Sequence, residues 1–125
     1  MNPTIQSLES KLAAIERAEN ALVFSSGMAA EAATFLALGQ KGVVCIGDAY
    51  GGTLDLLGTQ LTQIGIPVTF LAGSDLDGLE NFLKEGSLVF FETPTNPTLE
   101  VFDIAAISER ARKMGSRTCV DNTFA

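Results

Sequence analysis

The sequence predicts an α/β fold, a mostly parallel sheet with helices on both faces. Residues 43–46, 67–71, 88–91 and 118–120 are short, near-continuous apolar runs, the pattern of strands covered on both sides. Longer stretches between them repeat apolar residues at helical spacing, and a glycine stands at nearly every return from helix to strand. With hydrophobic residues at 46% and charged residues at 18%, disorder is excluded and one domain is the default for 125 residues.

Taken in order, Asn2-Pro3-Thr4 is a helix start, with Asn2 as cap and Pro3 at the first helical position. Leu8, Leu12 and Ile15 mark one apolar face, and this N-terminal helix is expected to end near Glu19-Asn20, so that residues 1–20 precede an alternating α/β body over 21–125. Ala21-Leu22-Val23-Phe24 reads as an opening strand, broken by Ser25-Ser26-Gly27 into an Ala-rich helix running to about Leu38. After the turn 39–42 and the strand 43–46, a helix through Leu54, Leu57 and Leu61 closes at Gly65. The strand 67–71 carries its proline at the start, where it is tolerated. Ser74 or Asp75 is expected to cap a short helix ended by Gly86. The strand 88–91 enters Glu92-Thr93-Pro94-Thr95-Asn96-Pro97, too proline-rich for helix or sheet. Asp103 caps the last helix, with Ile104, Ile107 and Ala111 inward, and the fifth strand, 118–120, ends at Asp121-Asn122-Thr123.

The formal charge of −7 and the scattering of eight Lys and Arg argue against a nucleic-acid partner. Histidine is absent, which removes Ser-His-Asp and Cys-His nucleophiles and the common zinc sets, and no metal-ligand spacing occurs. Cys45 and Cys119 sit far apart in apolar runs and read as buried free thiols in a reducing compartment. No signal peptide or membrane-spanning run is present, so a cytoplasmic protein is expected.

In a parallel sheet the loops leaving the strands share one edge, where open α/β folds bind ligands. Here they carry Ser25-Ser26-Gly27, Tyr50-Gly51-Gly52, residues 92–97 and Asp121-Asn122-Thr123. A helix N-terminus among small residues is a candidate phosphate cradle, although Ser25 or Ser26 could equally be a simple helix cap. Tyr50 could be a surface loop residue, Asn96 a turn former and Asp121 a cap. Together they suit a flat, phosphorylated, cationic heterocycle. No Gly-x-Gly-x-x-Gly follows the first strand and no Gly-Lys-Ser/Thr completes a P-loop. Pyridoxal 5'-phosphate fits better, because its ring nitrogen needs a nearby carboxylate such as Asp121 and its ring could stack on Tyr50.

Six ordered motifs, Asn2-Pro3-Thr4, Ser25-Ser26-Gly27-Met28-Ala29-Ala30, Tyr50-Gly51-Gly52-Thr53, residues 92–97, Asp103-Ile104 and residues 120–125, together resemble the Cys/Met-metabolism family of pyridoxal-phosphate enzymes over the whole chain. That family includes cystathionine gamma-synthase, cystathionine and methionine lyases and the O-acetylhomoserine sulfhydrylases. The resemblance implies part of the large domain of the aspartate-aminotransferase fold. It also implies that the backbones of Gly27 and Met28 hold the phosphate, Tyr50 stacks on the ring, Asn96 reaches the phenolic oxygen, Asp121 pairs with the pyridinium nitrogen and Thr123 supports the site. The implied activity is elimination or replacement at the beta or gamma carbon of a sulfur-containing amino acid or activated homoserine, in a homo-oligomer, a tetramer in the family.

Family members bind the cofactor covalently through the lysine of a Ser-x-Thr-Lys motif beyond the Asp-Asn-Thr-Phe segment, whereas this sequence ends at Ala125. Lys11 falls in the first helix, and Lys41, Lys84 and Lys113 fall near helix C-termini on the far side of the sheet. The family's Tyr-x-Arg element would precede Asn2, and its C-terminal domain would follow. The expectation is therefore a fragment with no catalytic residue of its own, inactive alone. Two other readings stand beside it: a fragment that acts only by association through an exposed strand edge, and a small phosphate- or flavin-binding α/β module.

Overall fold

The structure, a computed structural model, describes residues 2–125. The chain forms two compact units, the first up to Glu31 and the second Ala32–Ala125.

In the first unit, helix α1 (Pro3–Ile15) starts as expected: Asn2 Oδ1 accepts the Thr4 N–H at 2.9 Å and Pro3 occupies the first turn. It ends at Ile15, four residues before the expected stop. The Arg17 N–H donates to the Ala14 carbonyl and the Ala18 N–H to the Ala13 carbonyl, with Arg17 at φ +53°, so a Schellman turn built on a left-handed arginine terminates the helix. Residues 21–24 form no strand. Leu22 and Phe24 are exposed, and the Val23 N–H donates to Glu9 Oε1 at 3.1 Å rather than to a strand backbone. An apolar run alone does not make a strand when its backbone groups find a side-chain partner. Helix α2 (Gly27–Leu38) follows, with the Ala29 N–H donating to Ser26 Oγ at 3.1 Å, so Ser26 is its cap.

The second unit holds a four-stranded, all-parallel sheet of β1 (Val43–Ile46), β2 (Val68–Leu71), β3 (Leu88–Glu92) and β4 (Arg117–Asp121), in the order β2-β1-β3-β4. It has four strands where five were expected, because residues 21–24 do not join it. Each strand of the central pair is buried throughout, which explains the unbroken apolar runs. One face gathers Val44, Ile46, Leu71, Val89 and Phe91 with Leu79, Leu83, Ile107 and Ala111. These last four come from a 3₁₀ segment (Gly73–Phe82) with the residue just after it, and from helix α4 (Ile104–Lys113). On the other face Phe35 of α2 meets Phe90 edge-on, ring centroids 5.0 Å apart, and Gly58 lies against Phe70.

Between β1 and β2, α3 (Gly51–Asp55) continues as π-helical turns (Leu56–Leu61) that bury Leu56, Leu57 and Leu61. Asp103 caps α4 as expected, its Oδ1 accepting the Ala106 N–H at 2.9 Å. The 3₁₀ segment departs from expectation: neither Ser74 nor Asp75 caps it through a side chain, and the Asp75 N–H donates to the Ala72 carbonyl instead. With three residues per turn, its winding places Leu76 and Leu79, three apart, on the same side, towards the core. Cys45 and Cys119 are not disulfide-bonded and lie on β1 and β4, with β3 between them; Cys45 is buried as expected, whereas Cys119 is only half-buried. No helix among the described residues is long and apolar enough to cross a membrane.

Candidate functional site

The chain lays β2 on one side of β1 and then returns to place β3 on the other, so the strand order reverses between β1 and β3. At such a reversal the loops leaving the two carboxyl ends diverge and open a crevice, the usual ligand position in parallel sheets. The loop after β1 begins at Gly47 and reaches Tyr50. Gly47 has φ +70°, and a Cβ there would come within 2.8 Å of the Phe102 ring, so only glycine lets the chain turn here. Phe102 in turn packs edge-on against Phe91 at 5.9 Å between ring centroids.

After β3, the loop is held by its threonines. Thr93 Oγ1 accepts the Phe102 N–H at 3.0 Å, and the fully buried Thr95 accepts the Glu100 N–H at 2.8 Å and hydrogen-bonds the Thr98 hydroxyl at 2.8 Å. Asn96, half-buried, is thus carried on an internally bonded loop.

One carboxylate joins the two loops. Glu92, the last residue of β3 and only 3% exposed, accepts the Tyr50 N–H on Oε1 at 2.6 Å and the Asn96 N–H on Oε2 at 3.1 Å. Its strand neighbour in register is Asp121, the last residue of β4. Burial pushes the Glu92 carboxyl above its ordinary pKa, the Asp121 charge adds to this, and the two N–H donors oppose it. Asp121 Oδ1 accepts both the N–H and the hydroxyl of Thr123, at 2.9 and 2.6 Å, which fixes the plane of the carboxylate.

Tyr50, Asn96, Asp121 and Thr123 are therefore brought together at one sheet edge, while Gly27 and Met28 belong to the first unit. There they form the first turn of α2, which contains no acidic residue, and a Cβ on Gly27 would meet nothing within 4 Å. An anion can approach such a turn closely. Lys41, Lys84 and Lys113 lie in or next to the turns preceding β1, β3 and β4, at the opposite sheet edge. Glu92 is the residue that reading the sequence passed over. Its signal was a lone carboxylate closing an otherwise apolar strand one residue before a proline-rich loop.

The donor set at this edge of the second unit fits the ring of pyridoxal phosphate: an exposed phenol ring for a flat heterocycle, an asparagine for a ring oxygen and a fixed carboxylate for a protonated ring nitrogen. Fold and edge together define a cofactor-binding α/β domain.

Comparison with known proteins narrows the class. The family model described as "Cys/Met metabolism PLP-dependent enzyme" matches residues 1–125. The chain is 42% identical to a probable cystathionine gamma-synthase of Herpetosiphon aurantiacus and 41% identical to an L-methionine gamma-lyase of Fusobacterium nucleatum subsp. polymorphum, in each case over 99% of this chain. It covers 40% and 32% of those proteins. It superposes on the O-acetylhomoserine sulfhydrylase of Wolinella succinogenes with a TM-score of 0.91 and 35% identity, over 99% of this chain and 36% of that one. The chain belongs to the Cys/Met-metabolism family of pyridoxal-phosphate-dependent enzymes and corresponds to part of the large domain of that fold.

Proposed function

We propose that Tyr50, Asn96, Asp121 and Thr123 hold the pyridine ring of pyridoxal 5'-phosphate and that the first turn of α2, at Gly27 and Met28, takes its phosphate. What supports this most is the convergence of three loops on Glu92 and Asp121 at the point where the strand order reverses. When bound, the cofactor supplies an electron sink, and the chain's part is to orient it. Tyr50 offers a face for the ring, Asn96 an amide for its oxygen, and Asp121 a carboxylate that keeps the ring nitrogen protonated. Thr123 holds Asp121 in place.

The whole protein is proposed to eliminate or replace a group at the beta or gamma carbon of a sulfur-containing amino acid or an activated homoserine. The relatives named as synthase, lyase and sulfhydrylase span that range. It is also proposed to work as a homo-oligomer in the cytoplasm, where the two separated thiols stay reduced.

For residues 1–125 the expected result is cofactor binding without turnover, since none of Lys11, Lys41, Lys84 and Lys113 stands in the family's lysine motif. An equilibrium titration should give tighter binding of pyridoxal phosphate than of flavin mononucleotide. Borohydride reduction followed by peptide mapping should leave no single lysine stoichiometrically pyridoxylated. Preference for the flavin, or a fully labelled lysine with lyase activity, overturns this reading.

A further inference from the structure

We propose that Glu92 is a positioning residue, whose single carboxylate holds Tyr50 and Asn96 in one arrangement around the cofactor ring by accepting both of their backbone N–H groups. The inference rests on the reading of Tyr50 and Asn96 as cofactor ligands. The two donors stand 42 and 4 residues away in the chain and belong to two separate loops, Tyr50 at the end of the one after β1 and Asn96 within the one after β3, so no single local turn explains the pairing. Both oxygens are used, one per loop. Because the two N–H groups sit on different oxygens, an amide in place of the carboxylate sets its NH₂ against one of them and cannot serve both in this arrangement. A carboxylate buried next to Asp121 is an expensive choice for ordinary capping, because burial and like charge both disfavour its ionised form. That cost is understandable if the relative placement of the two loops matters to what binds between them.

The test compares Glu92→Gln and Glu92→Asp with the wild-type 125-residue chain by three measurements. These are pyridoxal phosphate affinity, the affinity of inorganic phosphate as competitor, and amide hydrogen exchange at Tyr50 and Asn96. A double-mutant cycle with Tyr50→Ala is added. The expected result is a loss of about tenfold in pyridoxal phosphate affinity for Glu92→Gln, the scale of one lost charge-assisted hydrogen bond. Phosphate affinity should stay within about twofold, because the phosphate is taken by α2. Exchange should be faster at one or both amides, and the effects of Glu92→Gln and Tyr50→Ala on ring affinity should not add. Unchanged pyridoxal phosphate affinity overturns the proposal, as does a parallel loss of phosphate affinity, which marks a general structural role. Should either variant fail to fold, wild-type exchange decides: slow exchange at both amides supports the clamp and free exchange overturns it. Absence of pyridoxal phosphate binding by the wild type, with both amides protected, counts against the cofactor reading and for the clamp.

Discussion

Asp121 and Glu92 are register partners at the ends of adjacent strands, yet they use their oxygens differently. Asp121 takes two hydrogen bonds from Thr123 on Oδ1 alone, so its other oxygen keeps a fixed direction, whereas Glu92 spends both oxygens on the loops. Replacing Thr123 by valine removes the 2.6 Å hydroxyl bond and keeps the backbone one. Pyridoxal phosphate affinity is then expected to fall by roughly 1 kcal/mol with little change in melting temperature, measurable by titration and calorimetry. At the end of α1, Arg17 holds a left-handed conformation that costs an L-residue about 1–2 kcal/mol. Arg17→Gly should raise stability by about 0.5–1 kcal/mol in chemical denaturation, the remainder being offset by the freedom glycine gains in the unfolded chain. From the sequence Asp121 is a candidate only through its joint occurrence with the other strand-end motifs, since a lone acid at a strand end could equally be a cap. Glu92 was hidden because its role depends on which loops the topology brings beside it, and strand order is not written in any one segment.

At the scale of elements, the amino and carboxyl edges divide scaffold from site. The turn after β1 depends on Gly47, and Gly47→Ala would force both a left-handed alanine and a clash with Phe102. A destabilisation of about 2–3 kcal/mol is expected in urea unfolding, with weaker cofactor binding because Tyr50 follows three residues on. The 3₁₀ segment is tied to α4 by Arg110, whose Nε and Nη2 donate to Glu80 Oε1 and Oε2, each at 2.6 Å. This pairing lowers the Glu80 pKa from 4.5 to about 2. Because the folded value is depressed, the stabilisation is complete above about pH 4.5 and is lost as pH falls towards 2. The pair is partly solvent-exposed, so it contributes on the order of 1 kcal/mol, and Arg110→Met should remove that amount at pH 7 and flatten the acid limb of stability against pH. Helix and strand identities were legible wherever apolar spacing, caps and glycine stops agreed, as at Asn2, Asp103 and residues 43–46. They failed at 21–24 and at the 3₁₀ segment, where the outcome turned on a side chain of α1 and on the winding needed to seat Leu76 and Leu79.

For the whole molecule, the parallel order β2-β1-β3-β4 brings three scattered loop motifs, after β1, β3 and β4, to one edge, and family membership names the cofactor proposed to bind there. The fold class could be read from apolar runs combined with helical spacing between them and glycine stops, although the run 21–24 shows that an apolar run by itself does not make a strand. The choice of pyridoxal phosphate over another phosphorylated heterocycle needed the joint pattern of residues 27–28, 50, 96, 121 and 123. The most direct test is a ¹H–¹⁵N NMR titration of the chain with pyridoxal phosphate. Shifts are expected to concentrate at Gly27, Met28, Tyr50, Asn96, Asp121 and Thr123, with the turns at Gly42, Gly65, Gly86 and Gly115 unmoved. Shifts confined to those four turns, or none at saturating cofactor, would contradict the cofactor reading.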